Sequence, residues 1–234
     1  MLLGARGLLR TWQVGDGREE AAARAVLTRA PRDDLNAAIA TLDQFASREK
    51  LLINIGDEKG AILDQAVHRA APQRALELGA YVGYSALRIA RALPSGGHLF
   101  SIELNPANAE IARRIAAHAG VANRITFIVG SLGDGGRTLA ELREAHGFSE
   151  RSVDFVFVDH AKEAYLPDLM RIMDAEWLHP GSVVVADNVR FPGAPRYRRY
   201  MEAEEGKRWR TVRHEAHAEY QGWVRDEVFE STLV

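Results

Sequence analysis

Short apolar segments alternate with amphipathic segments from about residue 75 onward, and this alternation predicts a largely parallel sheet with connecting helices. Segments that are almost wholly apolar are typical of strands that helices cover on both faces. Apolar residues three or four positions apart between them predict those helices. The pattern favours a doubly wound open α/β sheet. The predicted strands are Ala75–Gly79, His98–Leu104, Ile125–Val129, Val153–Val158, Ser182–Ala186, Trp209–His214 and Trp223–Phe229.

The N-terminal part of the chain lacks this alternation and is predicted to be helical. Residues 18–30 are rich in Ala, Glu and Arg, which are strong helix formers, and Pro31 interrupts them. Asp33 or Asp34 can cap a second helix, and a third is predicted over Asp57–Ala70. We therefore expect one domain over residues 1–234, with residues 1–50 as a helical N-terminal extension packed on it.

Composition and charge exclude several classes of protein. The 234 residues carry a formal net charge of -2, which does not favour electrostatic binding to nucleic acid. The sequence has no cysteine, so disulfides, cysteine-ligated zinc and cysteine nucleophiles are excluded. No stretch approaches the ~20 apolar residues that a membrane helix needs. We expect a soluble, cytoplasmic protein with a small-molecule partner and without nucleic-acid or membrane partners.

The ends of the first two predicted strands carry features of a site for a nucleoside-containing cofactor. The first strand runs into Glu77-Leu78-Gly79-Ala80-Tyr81-Val82-Gly83-Tyr84-Ser85, whose glycines allow a tight turn and close approach of a ligand. Glu103 ends the second strand and can accept hydrogen bonds from both hydroxyls of a ribose. Tyr81 replaces the middle glycine of the dinucleotide fingerprint, which disfavours a pyrophosphate. The loop alone leaves both NAD and S-adenosylmethionine open.

Oxygen-bearing side chains follow the fourth and fifth predicted strands. Asp159 comes directly after the fourth, and Asp187 and Asn188 come directly after the fifth. Adjacent strands lie ~4.8 Å apart, so these oxygens converge if the two strands are neighbours. Two carboxylates and an amide suit Mg²⁺, although each residue alone could simply cap a helix or turn. Lys162 lies close enough in sequence to serve as a general base, although a lone loop lysine is usually only solvated.

Several segments, in the same order along the chain, resemble the catechol O-methyltransferases. The similarity runs from about Gly15 to the C-terminus. The matching segments are Asn54-Ile55-Gly56-Asp57-Glu58-Lys59-Gly60, Glu77–Ser85, Asp159-His160-Ala161-Lys162, Tyr165-Leu166-Pro167-Asp168, Ala186-Asp187-Asn188-Val189 and Pro192-Gly193.

The resemblance implies a Rossmann-like, mostly parallel sheet of seven strands, the last antiparallel, that binds S-adenosylmethionine and Mg²⁺. It implies that Lys162 is the general base and that Glu219 holds the second catechol hydroxyl. The implied magnesium ligands are Asp159, Asp187 and Asn188. The implied cofactor-binding residues are Ile55, Glu77, Gly79, Tyr81, Ser85, Glu103, Ser131, Asp159 and His160.

The chain departs from the mammalian catechol enzymes at two positions near the expected substrate. Leu51 and Ala161 replace tryptophans that wall the catechol ring there, which implies a wider or differently shaped slot, while Pro192 keeps an apolar wall. The expected reaction is Mg²⁺-dependent methyl transfer from S-adenosylmethionine to one catechol hydroxyl.

Three alternatives to this activity stay open at the level of the sequence. They are a metal-dependent methyltransferase acting on another phenol such as a caffeoyl thioester, an NAD-linked oxidoreductase, and a non-catalytic nucleoside-binding module. The physiological substrate, the hydroxyl that is methylated, a homodimeric state and the replacement of Mg²⁺ by Ca²⁺ or Mn²⁺ are also left open.

Overall fold

The computed structural model describes residues 13–218 and 221–234, and these residues form one seven-stranded sheet flanked by helices. The strands are β1 (Arg74–Leu78), β2 (His98–Glu103), β3 (Ile125–Val129), β4 (Val153–Val158), β5 (Leu178–Ala186), β6 (Trp209–Ala218) and β7 (Gln221–Leu233). The α-helices are α1 (Arg18–Arg29), α2 (Leu35–Arg48), α3 (Gly56–Ala70), α4 (Tyr84–Ala92), α5 (Pro106–His118), α6 (Arg137–His146), α7 (Tyr165–Asp174) and α8 (Pro195–Ala203). None of them is both long and apolar enough to cross a bilayer.

The sheet has the order β3-β2-β1-β4-β5-β7-β6, and β1 to β5 pair in parallel. β7 is antiparallel to both of its neighbours, β5 and β6. A parallel pair needs a long crossover, which the intervening helices provide, whereas β7 begins soon after β6 ends and can only fold back against it. The predicted fold class, including the antiparallel last strand, is confirmed.

Hydrophobic clusters cover both faces of the sheet, as the apolar strands predict. In β4, Phe155 and Phe157 belong to the cluster on one face, and Val156 and Val158 belong to the cluster on the other. The first cluster includes buried residues of α1 to α5, and the second includes buried residues of α6, α7 and α8. Side chains of successive strand residues point to opposite faces, so a strand buried on both sides must be apolar throughout.

The first two described helices extend the core on one face. Asp34, not Asp33, caps α2, because its side chain accepts a hydrogen bond of 2.9 Å from the N–H of Ala37. Asp33 instead has a left-handed backbone, with φ of 61°. Glu19 of α1 accepts a 2.9 Å hydrogen bond from the Tyr81 hydroxyl, so α1 also contacts the loop that follows β1.

Candidate active site

The side chains that follow β4 and β5 lie at one edge of the sheet. The two strands are parallel neighbours, and Val158 pairs with Ala186 at their carboxyl ends. One residue further on, the N–H of Asp187 donates to the carbonyl of Val158 at 3.1 Å. The condition on which the predicted metal site depended, adjacency of these two strands, is therefore met.

The amine of Lys162 lies between two of the predicted metal ligands. Its Nζ is 3.0 Å from Oδ1 of Asp159 and 3.1 Å from Oδ1 of Asn188. It also donates to the hydroxyl of Tyr165, 2.5 Å away, and the side chain of Lys162 is 18% exposed. A carboxylate oxygen from the end of β4 and an amide oxygen from the end of β5 thus face the same cation.

Asp187 belongs to a buried charge cluster, which consists of Lys59, Asp187 and Asp226. Nζ of Lys59 is 2.8 and 2.9 Å from the two carboxylate oxygens of Asp187, and 2.9 Å from Oδ2 of Asp226. Burial by itself raises the pKa of Asp226. The positive charge of Lys59 and hydrogen bonds to the carboxylate outweigh this effect and bring that pKa below its ordinary value. One ammonium therefore faces two carboxylates, which leaves a formal net charge of minus one.

Sequence reasoning gave no role to three residues of this site, namely Lys59, Tyr165 and Asp226. Lys59 and Tyr165 stand inside the segments that carry the family resemblance, so their place in those segments was the available signal. Asp226 has a weaker signal, because it is one of three acidic residues in β7 and no motif distinguishes it from Glu227 and Glu230. Its contact with Lys59 spans 167 positions of sequence and depends on how β7 is placed in the sheet.

The glycine loop after β1 approaches the end of β4 closely. Gly79 has a φ of +100°, and a Cβ atom there would lie 2.4 Å from the carbonyl oxygen of Asp159, so only glycine fits. Glu103, buried at the end of β2, accepts hydrogen bonds from the N–H of Tyr81 at 2.7 Å and of Asn105 at 2.8 Å. The structure therefore places Gly79 against Asp159 and Tyr81 against Glu103, and the binding of a cofactor by these residues stays a prediction.

Glu77 is a fully buried carboxyl group at the end of β1. The hydroxyl of Ser101 donates to its Oε2, whereas its Oε1 has no hydrogen-bond partner among the described residues. Burial raises the pKa of Glu77 to about 7. The negative charges of Asp159 and Glu103 add to this rise, and the hydrogen bond from the hydroxyl of Ser101 opposes it. An unpartnered acid oxygen in this place fits the binding of a cationic group.

The raised pKa of Glu77 predicts that the ligand-free protein loses stability as pH rises. Between pH 4.5, the ordinary pKa of a glutamate, and about 7, the folded state holds a proton that the unfolded state has released. The free energy of unfolding therefore falls as pH rises through this window. Because Glu77→Gln removes this titration, the melting temperature of the variant should fall less than that of the wild type from pH ~5 to pH ~8.

Thermal melts of the two proteins without cofactor, at both pH values, test this expectation. Glu144→Gln is a matched control, since Glu144 is an exposed glutamate of α6. Its melting temperature should follow that of the wild type at each pH. An equal fall in Glu77→Gln and the wild type would contradict the prediction.

The other predicted cofactor residues occupy several elements. Ile55 is buried directly before α3, Ser85 is buried in the first turn of α4, and Ser131 is half-buried shortly after β3. His160 is half-buried next to the end of β4, and its Nε2 lies 2.9 Å from Oδ2 of Asp168. The assignment of these residues to the cofactor stays a prediction.

Buried polar atoms without a partner occur among and beside these residues. Both side-chain polar atoms of Asn54 lack a hydrogen-bond partner within the described part of the chain, and so does Nδ1 of His160. Buried polar groups are normally hydrogen-bonded. Asn54 adjoins Ile55, and His160 adjoins Asp159, so these atoms fit a site shaped for a polar ligand.

Two further predictions concern the metal and the substrate. Within residues 13–218 and 221–234, no group of three or more His, Cys, Asp or Glu side chains is placed to hold a metal ion. The predicted set of Asp159, Asp187 and Asn188 differs from such a group, because it has only two carboxylates and its third member is an amide. Glu219, predicted to hold the second hydroxyl of a catechol, lies outside the described residues.

Comparison with known sequences identifies relatives over nearly the whole chain. A family described as O-methyltransferase matches residues 33–212. A probable O-methyltransferase of Mycobacterium tuberculosis is 56% identical over 99% of this chain and 98% of its own length. Catechol O-methyltransferase B of Danio rerio is 38% identical over 84% of this chain and 72% of its own length.

Comparison with solved structures shows that the fold is shared. The O-methyltransferase TomG from Streptomyces achromogenes, solved in complex with S-adenosylmethionine, matches all of both chains with a TM-score of 0.66 and 23% identity. An O-methyltransferase from Bacillus cereus, solved with S-adenosylhomocysteine, covers 92% of this chain and 97% of its own, with a TM-score of 0.65 and 20% identity.

Proposed function

The chain belongs to the family of S-adenosylmethionine-dependent O-methyltransferases, and on this premise we propose that it methylates one hydroxyl of a catechol-type phenol with the help of Mg²⁺. The main observation that supports the proposal is the position of Lys162. Its amine lies between Oδ1 of Asp159 and Oδ1 of Asn188, at 3.0 and 3.1 Å, where β4 and β5 end. A base and oxygen ligands are thus held together beside the glycine loop.

The chemistry of the donor side chains fits a hard divalent cation. Asp159, Asp187 and Asn188 offer only oxygen atoms, which Mg²⁺ prefers. Two of these oxygens already face a cation, the ammonium of Lys162. Bound there, Mg²⁺ supplies the positive charge that makes a neighbouring hydroxyl more acidic.

Two buried acids are proposed to bind S-adenosylmethionine, which supplies an electrophilic methyl group on a sulfonium. Glu103, at the end of β2, is the proposed acceptor for the ribose hydroxyls, as acids at this place are in related nucleotide-binding sheets. Glu77, with an unpartnered Oε1, is the proposed acceptor for the cationic amino group. The glycine loop between them allows the cofactor to approach the backbone closely.

Lys162 is proposed to take the proton from the acceptor hydroxyl. Tyr165 orients the lysine amine, because its hydroxyl contacts Nζ and also donates to the backbone carbonyl of Asp187 at 3.0 Å. Attack of a phenolate on a sulfonium cancels charge, so much of the acceleration must come from alignment of oxygen and methyl at ~3 Å. Glu219 is proposed to hold the second hydroxyl and thereby to fix the ring for this alignment.

The residues Leu51 and Ala161, with an exposed phenylalanine after β5, are the basis for the substrate range that we propose. Leu51, shortly before α3, is 41% exposed, and Phe191, shortly after β5, is 49% exposed. The N–H of Phe191 donates to Oδ1 of Asp226 at 2.9 Å, which places this residue next to the buried charge cluster. Ala161 directly precedes Lys162 and adds little bulk. We propose that the slot accepts catechols with bulky apolar substituents.

The relatives favour a catechol over the alternative acceptors. The Danio rerio and Bos taurus relatives, at 38% and 34% identity, are named as catechol O-methyltransferases. A putative caffeoyl-CoA O-methyltransferase from Staphylococcus aureus shares the fold at 18% identity. Membership of a methyltransferase family also favours methyl transfer over NAD-linked oxidation and over simple nucleoside binding.

A methyl-transfer assay with radiolabelled S-adenosylmethionine tests the proposed function. Label is expected to enter a panel of catechols, to be lost when a chelator removes divalent cations, and to return when Mg²⁺ is added back. The matched control substrates are the same rings with one hydroxyl already methylated, which lack the pair of hydroxyl oxygens and should accept little label. Transfer that is unaffected by the chelator would contradict the metal dependence, and equal transfer to the control substrates would contradict the catechol preference.

A further inference from the structure

Asp226, on β7, joins three parts of the fold around Asn188. It is 1% exposed, and its Oδ2 accepts hydrogen bonds of 2.9 Å from Nδ2 of Asn188 and from Nζ of Lys59. Its Oδ1 accepts from the N–H of Phe191 at 2.9 Å and of Glu227 at 2.8 Å. One carboxylate thus holds α3, the loop that follows β5, and β7.

The contact with Asp226 determines which end of the Asn188 carboxamide faces Lys162. A carboxylate only accepts hydrogen bonds, so it holds the NH₂ end of the amide. The oxygen end must then point elsewhere, and it lies 3.1 Å from Nζ of Lys162. Asn188 also has a left-handed backbone, with φ of 53°, which asparagine tolerates better than most residues. An amide without this anchor could present its NH₂ group, which cannot bind a cation.

Lys59 holds the second side chain of the pair, Asp187, in a similar way. Its ammonium contacts both oxygens of the Asp187 carboxylate, and the side chains of both residues are fully buried. Since Lys59 projects from α3, the orientation of Asp187 is tied to a helix that packs on the sheet. The same ammonium offsets the charge that Asp187 and Asp226 bring into the interior.

We propose that Asp226 and Lys59 are positioning residues for a divalent cation, Asp226 through the amide of Asn188 and Lys59 through the carboxylate of Asp187. The inference rests on the proposed Mg²⁺ site and adds the two residues that set the direction of its donor atoms. They act through the donor side chains, so they govern the affinity for the cation, whereas the proton transfer depends on Lys162.

A purely structural role explains this arrangement less well. Buried charges cost desolvation energy, and replacement of a buried ion pair by apolar residues is often neutral or stabilising. The cluster places three charged side chains in the interior. Its contacts hold the side chains of Asp187 and Asn188, the proposed donors, so the cluster is better matched to a cation site than to stability alone.

The test uses the full-length protein and the substitution Asp226→Asn, which keeps the shape of the side chain. Calorimetric titration with Mg²⁺, in the presence of S-adenosylhomocysteine, is expected to give a Kd raised by about 10–100-fold. The Mg²⁺ concentration for half-maximal methyl transfer should rise by the same factor, while kcat at saturating Mg²⁺ and the affinity for S-adenosylhomocysteine in chelator stay near the wild-type values.

Asp64→Asn is the matched control, because it also removes a carboxylate from an ion-pair network. Oδ2 of Asp64 lies 2.6 Å from both Arg88 and Arg91, between α3 and α4. The Mg²⁺ affinity of the Asp64→Asn variant should equal that of the wild type. If Asp226→Asn does not fold, the double variant Lys59→Met/Asp226→Asn takes its place. It leaves the summed formal charge of Lys59, Asp187 and Asp226 unchanged, and it should lose at least as much Mg²⁺ affinity because both positioning contacts are removed.

The outcomes separate this inference from the function on which it rests. Wild-type Mg²⁺ affinity in a folded variant would overturn the positioning role and leave the proposed metal site intact. Equal weakening in Asp64→Asn would also overturn it, because the effect would then follow from any lost ion pair. A wild-type protein that binds no Mg²⁺ would overturn the proposed metal site and, with it, this inference.

Discussion

Replacement of Lys162 by methionine is expected to lower kcat for methyl transfer by about 10²–10⁴-fold, the range that a positioned general base contributes. Methionine has a similar length but no basic nitrogen. The amine that it removes is the one held by Asp159, Asn188 and Tyr165. Without it, water must take the proton from the acceptor hydroxyl.

The same variant is expected to keep its affinity for Mg²⁺. The ammonium of Lys162 donates to Oδ1 of both Asp159 and Asn188, so its removal frees oxygens that a cation can use. Because hydroxide replaces the missing base, the residual rate should rise more steeply with pH than the wild-type rate does. A structural defect would lower the rate at every pH and would not produce this steeper profile.

Single-turnover methyl transfer at saturating substrate and Mg²⁺ measures the effect on the chemical step. Lys207→Met is the matched control, since Lys207 is exposed and its Nζ donates to the carbonyl of Ala203 at the end of α8. A Lys162→Met protein that is folded and transfers methyl groups at a rate close to the wild type would show that this lysine is not the base.

Replacement of Asp159 by asparagine is expected to raise the Kd for Mg²⁺ by more than about 100-fold, because even the outer partners of metal ligands typically contribute 10–100-fold. The change keeps the shape of the side chain but removes one of the two carboxylates in the proposed ligand set. Methyl transfer should then be nearly absent at Mg²⁺ concentrations that saturate the wild type. In contrast to Lys162→Met, the loss should appear in cation binding itself.

Mg²⁺ titrations, followed by calorimetry and by activity, check this expectation. Asp154→Asn is the matched control, because Asp154 lies in β4 near the end opposite to the one that Asp159 follows. Its Oδ2 accepts hydrogen bonds from the N–H groups of Gln73 and Arg74 at 2.9 and 2.8 Å. The control should lose stability and keep its Mg²⁺ affinity. Unchanged Mg²⁺-dependent transfer by Asp159→Asn would remove Asp159 from the ligand set.

Local patterns were sufficient to predict most of the sheet. Two strands, β4 (Val153–Val158) and β3 (Ile125–Val129), have the bounds that the sequence predicts. β5 begins four residues earlier than predicted, at Leu178 in place of Ser182, since Pro180 and Gly181 hide the strand pattern there. β6 and β7 are also longer than predicted, because their polar residues obscure the period of two.

Part of the site was equally accessible from the sequence. Asp159, Asp187 and Asn188 come directly after apolar strands, and parallel strands bring their carboxyl ends to one edge of a sheet. That rule marks the residues after β4 and β5 as candidates. It also needs the two strands to be neighbours, which only the structure establishes.

The sequence by itself determined the order of strands and helices, the glycine loop and the oxygen side chains at the strand ends, because each depends on neighbours along the chain. Only the tertiary structure decided that Lys59 and Asp226 stand beside Asp187 and Asn188. Those contacts join α3, β5 and β7, and two of them span 128 and 167 positions. Such pairs arise from the packing of a helix and an antiparallel strand against the sheet, which leaves no period or spacing in the sequence.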